Sequence, residues 1–145
     1  LDEYVLNQSR HVVWTYGPGI IHDRRWNPEH VKEICGTDFG TPGISKVEKQ
    51  NWTSVYVYNP DTVTVENLRD IARDAGVLLY CSQPRPVYAN ERLVAVHTAE
   101  VETLKISFPR KCALITELFS GRQYRNTDRL EVTSNGADTW LFRLE

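Results

Sequence analysis

Up to about residue 80, short β-branched or aromatic runs alternate with segments whose apolar residues recur at helical spacing. Residues 1–6 read as the later turns of a helix, with no N-cap residue before them. Residues 11–16, His-Val-Val-Trp-Thr-Tyr, have the composition of a buried strand, and Gly17-Pro18-Gly19 ends it. Asn27-Pro28-Glu29 predicts a helix start, because proline fits the first helical position and an acid suits the first turn. Val31, Ile34 and Cys35 then line one face, and Gly36 is a natural stop. Residues 36–51 read as a long polar loop, followed by a strand at residues 54–58. Thr64 caps a second helix with Val65, Leu68, Ile71, Ala72 and Ala75 on one face, closed by Gly76. Residues 77–80 then read as a third strand. The order α-β-α-β-α-β implies right-handed crossovers and a mainly parallel sheet.

Ser82-Gln83-Pro84-Arg85-Pro86 is rich in turn formers, and beyond it the helical period disappears. Residues 87–89 and 93–97 predict a hairpin around Asn90-Glu91, and residues 103–108 alternate with Leu104, Ile106 and Phe108 on one face. Residues 114–119, a turn at Ser120-Gly121-Arg122, and strands at residues 130–133 and 138–144 complete the pattern. The predicted fold class is therefore α/β followed by all-β. Residues 1–82 form a partial parallel α/β unit, and residues 83–145 a small antiparallel β-sandwich.

Composition narrows the classes of function. Hydrophobic residues make up 41% and charged residues 25%, ordinary for a globular protein, with a net charge of −2. Lysine and arginine are scattered, which argues against a nucleic-acid partner. The longest apolar runs are about five residues, far short of the ~20 a membrane-spanning helix needs, so no membrane partner is expected. No charged-then-apolar leader opens the chain, and nothing in it separates a cytoplasmic from an exported placement. The chain contains no methionine. With the uncapped opening helix, that leads to the expectation of a C-terminal fragment of a larger protein.

The second half resembles a C-terminal β-domain of multidomain bacterial glycoside hydrolases of the β-galactosidase type. The residues that carry the resemblance are Val87-Tyr88-Ala89-Asn90, Leu93-Val94-Ala95-Val96-His97 and Leu104-Lys105-Ile106-Ser107-Phe108-Pro109-Arg110, with Leu118-Phe119-Ser120-Gly121 and the closing Leu141-Phe142-Arg143-Leu144-Glu145. The run from Val12 to Gly19 and residues 67–80 resemble the end of the glutamine-amidotransferase-like α/β domain that precedes it. The resemblance implies that the hydrolytic acids lie in an upstream barrel and that the amidotransferase-like part is inactive.

The residues themselves supply no assembled catalytic motif. Cys81 follows an expected strand, as an amidotransferase nucleophile does, but it has no flanking glycine and leads into a loop instead of a helix. Cys35, Cys81 and Cys112 are odd in number and widely spaced, without the pattern of a disulfide framework or a zinc site. The four histidines show no ligand spacing, and no cofactor or metal is expected. His22-Asp23-Arg24-Arg25 reads as a solvated charged loop, with a carboxylate or phosphate clamp as the sharper alternative. A hydrolase needs two carboxylates about 5–10 Å apart across a sugar ring, and no motif singles out a pair among the acids.

Aromatic residues are the more informative group. Trp14, Tyr16, Trp26, Trp52, Tyr56 and Tyr58 all fall in the first 60 residues. Strand positions make Trp14, Tyr56 and Trp140 core residues, whereas Trp26 and Trp52 lie beside turns. Those two are the candidate ligand-binding residues, for a sugar or an interdomain contact. The leading expectation is a non-catalytic accessory region for domain packing or oligomerisation. Its partner is the upstream catalytic domain of the same protein, and homo-oligomers are compatible with it. A free-standing carbohydrate-binding module is the alternative, and a glycoside hydrolase whose site arises only on folding is a third.

Overall fold

The computed structural model describes residues 8–145, so the helix expected at residues 1–6 lies outside the described part. The chain divides into two compact units, residues 1–68 and 69–145.

The first unit is built on a three-stranded mixed sheet in the order β1–β5–β4, where β1 is His11–Thr15, β4 is Ile44–Glu48 and β5 is Thr53–Val57. β1 runs parallel to β5, from His11 opposite Thr53 to Thr15 opposite Val57. β4 is antiparallel to β5. All five residues of β5 are buried, as expected of a central strand. A two-residue hairpin, β2 (Ile21–His22) and β3 (Arg25–Trp26), leads into helix α1 (Pro28–Cys35). Proline occupies the first turn of α1, and Gly36 ends it in the left-handed region at φ 83°, its N–H donating to Lys32 O. Asn27 occupies the N-cap position without a side-chain cap bond. Val31 and Cys35 turn into a core with Ile20 and Tyr56, and Trp14, Phe39 and Tyr58 pack against it. A side chain such as Val31 contributes about 1.5–3 kcal/mol on full burial.

Two expectations are corrected here. The polar stretch 36–51 is not all loop: it contains β4, an antiparallel edge strand whose wet face leaves it few apolar residues. Residues 77–80 do not form a strand, and the parallel amidotransferase-like arrangement is not seen beyond the β1–β5 pair. The backbone there is used differently. Val77 N donates to Ala72 O, wrapping the end of helix α2 (Val65–Asp74), while Ser107 N donates to Tyr80 O and Ser82 N to Lys105 O. An isolated antiparallel bridge joins Cys81 to Ile106. The start of α2 is as expected: Asn67 N donates to Thr64 Oγ1 and Thr64 N to Asn67 Oδ1, a reciprocal cap with asparagine in the third position.

The second unit holds one five-stranded sheet in the order β6–β7–β10–β8–β9. Its strands are β6 (Val87–Ala89), β7 (Leu93–Thr98), β8 (Val101–Glu117), β9 (Gln123–Asn135) and β10 (Asp138–Leu144), every neighbour antiparallel. The expected hairpin is present, with Asn90 Oδ1 accepting from Arg92 N and Leu93 N. The antiparallel β class is thus observed, but as one bent sheet where two stacked sheets were expected. The two strands expected at residues 103–108 and 114–119 are a single long strand. Between the pairs Ser107–Arg129 and Cys112–Thr127, β8 has four residues where β9 has one. Such a bulge bends a strand and re-aims its side chains, and Pro109, which has no N–H to offer a ladder, lies inside it. The inward set is Leu104, Ile106 and Phe108 before the bend and Ile115 and Glu117 after it. Both halves contribute to one core with Val94, Val96, Leu130, Val132, Phe142 and Leu144.

Candidate functional site

β1 and β5 end together at the paired residues Thr15 and Val57, and an aromatic residue follows each. The rings of Tyr16 and Tyr58 stack at 5.7 Å between centroids, 22° apart in plane. Phe39 stands edge-on to both, at 5.6 Å from Tyr16 and 5.2 Å from Tyr58, and Trp26 stands edge-on to Phe39 at 5.7 Å. Tyr16 is 50% exposed and Trp26 57% exposed. The cluster is therefore a rim of aromatic surface, open on one side, at the carboxyl ends of the two parallel strands. In open α/β sheets that is where ligands commonly bind.

The rim is held from beneath. Tyr16 has φ 61°, a left-handed conformation that a bulky residue seldom adopts. Its N–H donates to Val57 O at 2.9 Å, and the buried Tyr56 hydroxyl donates to Tyr16 O at 2.6 Å. Gly40 N donates to the same hydroxyl at 3.4 Å. Burial pushes the Tyr56 phenol up, which keeps it a neutral donor.

Beside the rim, Asp23 and Arg24 form the hairpin turn, both with positive φ (49° and 63°), the geometry whose twist suits a two-residue loop. The turn sets Arg25 next to Trp26, and His22, Asp23, Arg25, Trp26 and Asn27 line one shallow concavity. The imidazoles of His22 and His30 lie 4.0 Å apart between centroids. His30 Nδ1 is 2.8 Å from Glu33 Oε2, and His22 Nε2 is 3.6 Å from Asp23 Oδ2. Among the described residues, neither the Arg24 nor the Arg25 guanidinium has an ion-pair or hydrogen-bond partner.

Trp52 lies elsewhere. It immediately precedes β5 while Tyr58 immediately follows it, about 20 Å apart at ~3.3 Å per strand residue. Trp52 is half-buried, edge-on to Trp14 at 6.2 Å, with Lys49 Nζ 5.9 Å from its ring centroid. The structure thus does not bring Trp26 and Trp52 into one site. It brings Trp26 to Phe39, which sequence reasoning missed; the available signal was an aromatic residue set before Gly40 in an otherwise polar stretch.

The remaining candidates offer little chemistry. All three cysteines are free and buried. Burial pushes the Cys81 and Cys35 thiols up, away from the thiolate a nucleophile needs. Among the described residues, no group of three or more His, Cys, Asp or Glu is placed to hold a metal ion. No described helix is long and apolar enough to cross a membrane. What the rim and hairpin offer is binding: aromatic surface, two guanidinia without a partner among the described residues, and an imidazole pair.

No protein-family model matches the chain, and comparison with curated proteins gives no match. A solved structure, the β-galactosidase from Bacillus circulans sp. alkalophilus, is similar over 76% of this chain at 18% identity with a TM-score of 0.45. The matched part is 17% of that chain. A likeness of that degree assigns neither family nor activity.

Proposed function

We propose that this chain is a non-catalytic accessory region of a larger carbohydrate-processing protein, whose helix α2 packs against an upstream domain of the same polypeptide. The observation that carries the packing is the state of α2. Its residues separate into an apolar and a charged face, yet none of them is buried. Val65 is 54% exposed and Leu68 53% exposed. A helix with one apolar stripe normally turns that stripe into a core. Val77 and Leu78, just beyond its end, are exposed as well. Large exposed apolar patches mark surfaces that meet another protein surface. The carbohydrate context comes from the sequence resemblance set out above.

The test is amide hydrogen exchange on α2, in this 145-residue chain and in the longer polypeptide that contains it. The proposal expects strong protection of residues 65–74 only in the longer polypeptide, and loss of that protection on Leu68→Lys. Equal exchange in both, or a longer polypeptide without an upstream domain, would sink it. The Trp26 surface favours a second reading, direct sugar contact.

A further inference from the structure

We infer that the aromatic rim of the first unit, with the hairpin at residues 21–26, binds an oligosaccharide carrying carboxylates, that is, one containing hexuronic acid. The inference uses the carbohydrate context above but not the packing of α2, so the two stand or fall separately.

The four aromatic side chains are packed edge-on and stacked among themselves, so a ligand meets aromatic surface on one side only. A flat aromatic ligand is best held between two faces. A pyranose differs: it has one apolar C–H face to lay on a ring and hydroxyls that stay in water. The half-exposed ring of Trp26, at the edge of a shallow concavity, suits such one-sided stacking.

Two carboxylates beside the hairpin face imidazoles, Asp23 with His22 and Glu33 with His30, and Asp38, next to Phe39, pairs with Lys32. Arg24 and Arg25 have no such partner among the described residues. Arg25 lines the same concavity as Trp26. A guanidinium fork matches a carboxylate with two parallel hydrogen bonds, and a sugar carboxylate lies one exocyclic carbon from the ring that would stack on the indole. The left-handed turn at Asp23 and Arg24 holds this presentation, and the Tyr56 hydroxyl bond to Tyr16 O anchors the backbone of the rim. The rim is thus set by the backbone before any ligand arrives, which lowers the cost of binding.

The test follows the four tryptophan indole N–H resonances of the ¹⁵N-labelled chain, with that of Trp26 identified through Trp26→Phe. Two ligands of equal length are titrated, a hexuronic-acid trisaccharide and a neutral hexose trisaccharide. The expected result is a saturable shift of the Trp26 resonance with the acidic sugar and a much weaker one with the neutral sugar. Arg25→Gln should weaken the acidic sugar by about tenfold, while the folded spectrum stays intact. Raising salt to about 0.5 M should weaken it further, and Arg143→Gln in the second unit should not. No shift with either sugar, equal binding of the two, or indifference to Arg25→Gln would overturn the inference. So would finding the rim covered by a protein partner in the longer polypeptide.

Discussion

Glu117 is the last residue of β8 and is only 4% exposed, a carboxylate set into the second unit at the turn toward β9. Its oxygens accept from Ser120 N at 2.6 Å, Phe119 N at 3.1 Å and Leu141 N at 3.4 Å. Gly121 N donates to its carbonyl, and its own N–H donates to Arg122 O. Burial alone would raise its pKa. The Ser120 hydroxyl and the three backbone N–H groups together outweigh that effect and hold it below the usual carboxylate range. Glu117→Gln keeps the shape but removes the charge and turns an N–H donor toward other donors. Hydrogen bonds to charged groups are worth about 1.5–3 kcal/mol each, and two of the three donors can rehydrate at the exposed turn, so the expected loss is about 2 kcal/mol. Glu117→Ala, which leaves every donor unmatched, should cost about 3 kcal/mol.

Trp140 is the only tryptophan of residues 69–145, so its indole signal follows this unit in a urea titration free of the other unit's transition. With a slope of about 2 kcal/mol per molar urea, Glu117→Gln should lower the midpoint by about 1 M at pH 7. The pH dependence supplies the sharper check. Because the folded pKa lies below the unfolded one, the unfolded chain binds the proton first as pH falls. The wild-type advantage is therefore complete above the ordinary carboxylate pKa of about 4.3 and shrinks as pH drops through the lower folded value. Equal midpoints at pH 7, or a gap that persists unchanged below pH 3, would refute the charge-assisted clamp.

Gly19→Ala places a methyl group at φ 66° where it would collide with the Ile34 side chain and press on His30. A loss of about 2 kcal/mol or more in the first unit is expected, read by the Trp14 and Trp52 indole signals in urea. Tyr56→Phe removes the bond to Tyr16 O and should cost the first unit about 1–1.5 kcal/mol while the Trp140 transition stays put. Arg85 Nε and Nη2 donate to the two Glu102 oxygens at 2.5 and 3.0 Å, and that contact, helped by the Thr98 hydroxyl, holds the Glu102 carboxyl below its usual range. Glu102→Gln should lower the thermal midpoint at pH 7, and the difference should fade as pH falls through the depressed folded pKa.

The elements that declared themselves in sequence are those with local chemistry. Proline at the start of α1, the Thr64 cap of α2, Asn90 in its hairpin and the alternation of Leu104, Ile106 and Phe108 all act over a few residues, and each formed where expected. The misses are non-local. Residues 77–80 are as apolar as a strand, but a strand also needs a neighbour with a free edge, and composition does not report that. Residues 103–108 and 114–119 read as two strands, yet the bulge that holds Pro109 needs no donor there and keeps them one. The candidate site was half legible. Turn-flanked Trp26 pointed to an exposed ring, but its assembly with Phe39, Tyr16 and Tyr58 depends on β1 and β5 ending in register. Glu117 was invisible as a clamp, since its donors are main-chain groups that every sequence carries.

The placement of the three thiols has a further consequence. Cys35 is the buried last residue of α1, its Sγ–H donating to Val31 O, whereas Cys81 and Cys112 lie in the core of the second unit. A reagent that alkylates cysteine reaches these groups only when the surrounding structure opens. One mass increment should therefore time the opening of residues 1–68, and two others that of residues 69–145. The native chain thus carries its own clock for the stability of each half, and it can be read without a dye or an engineered label.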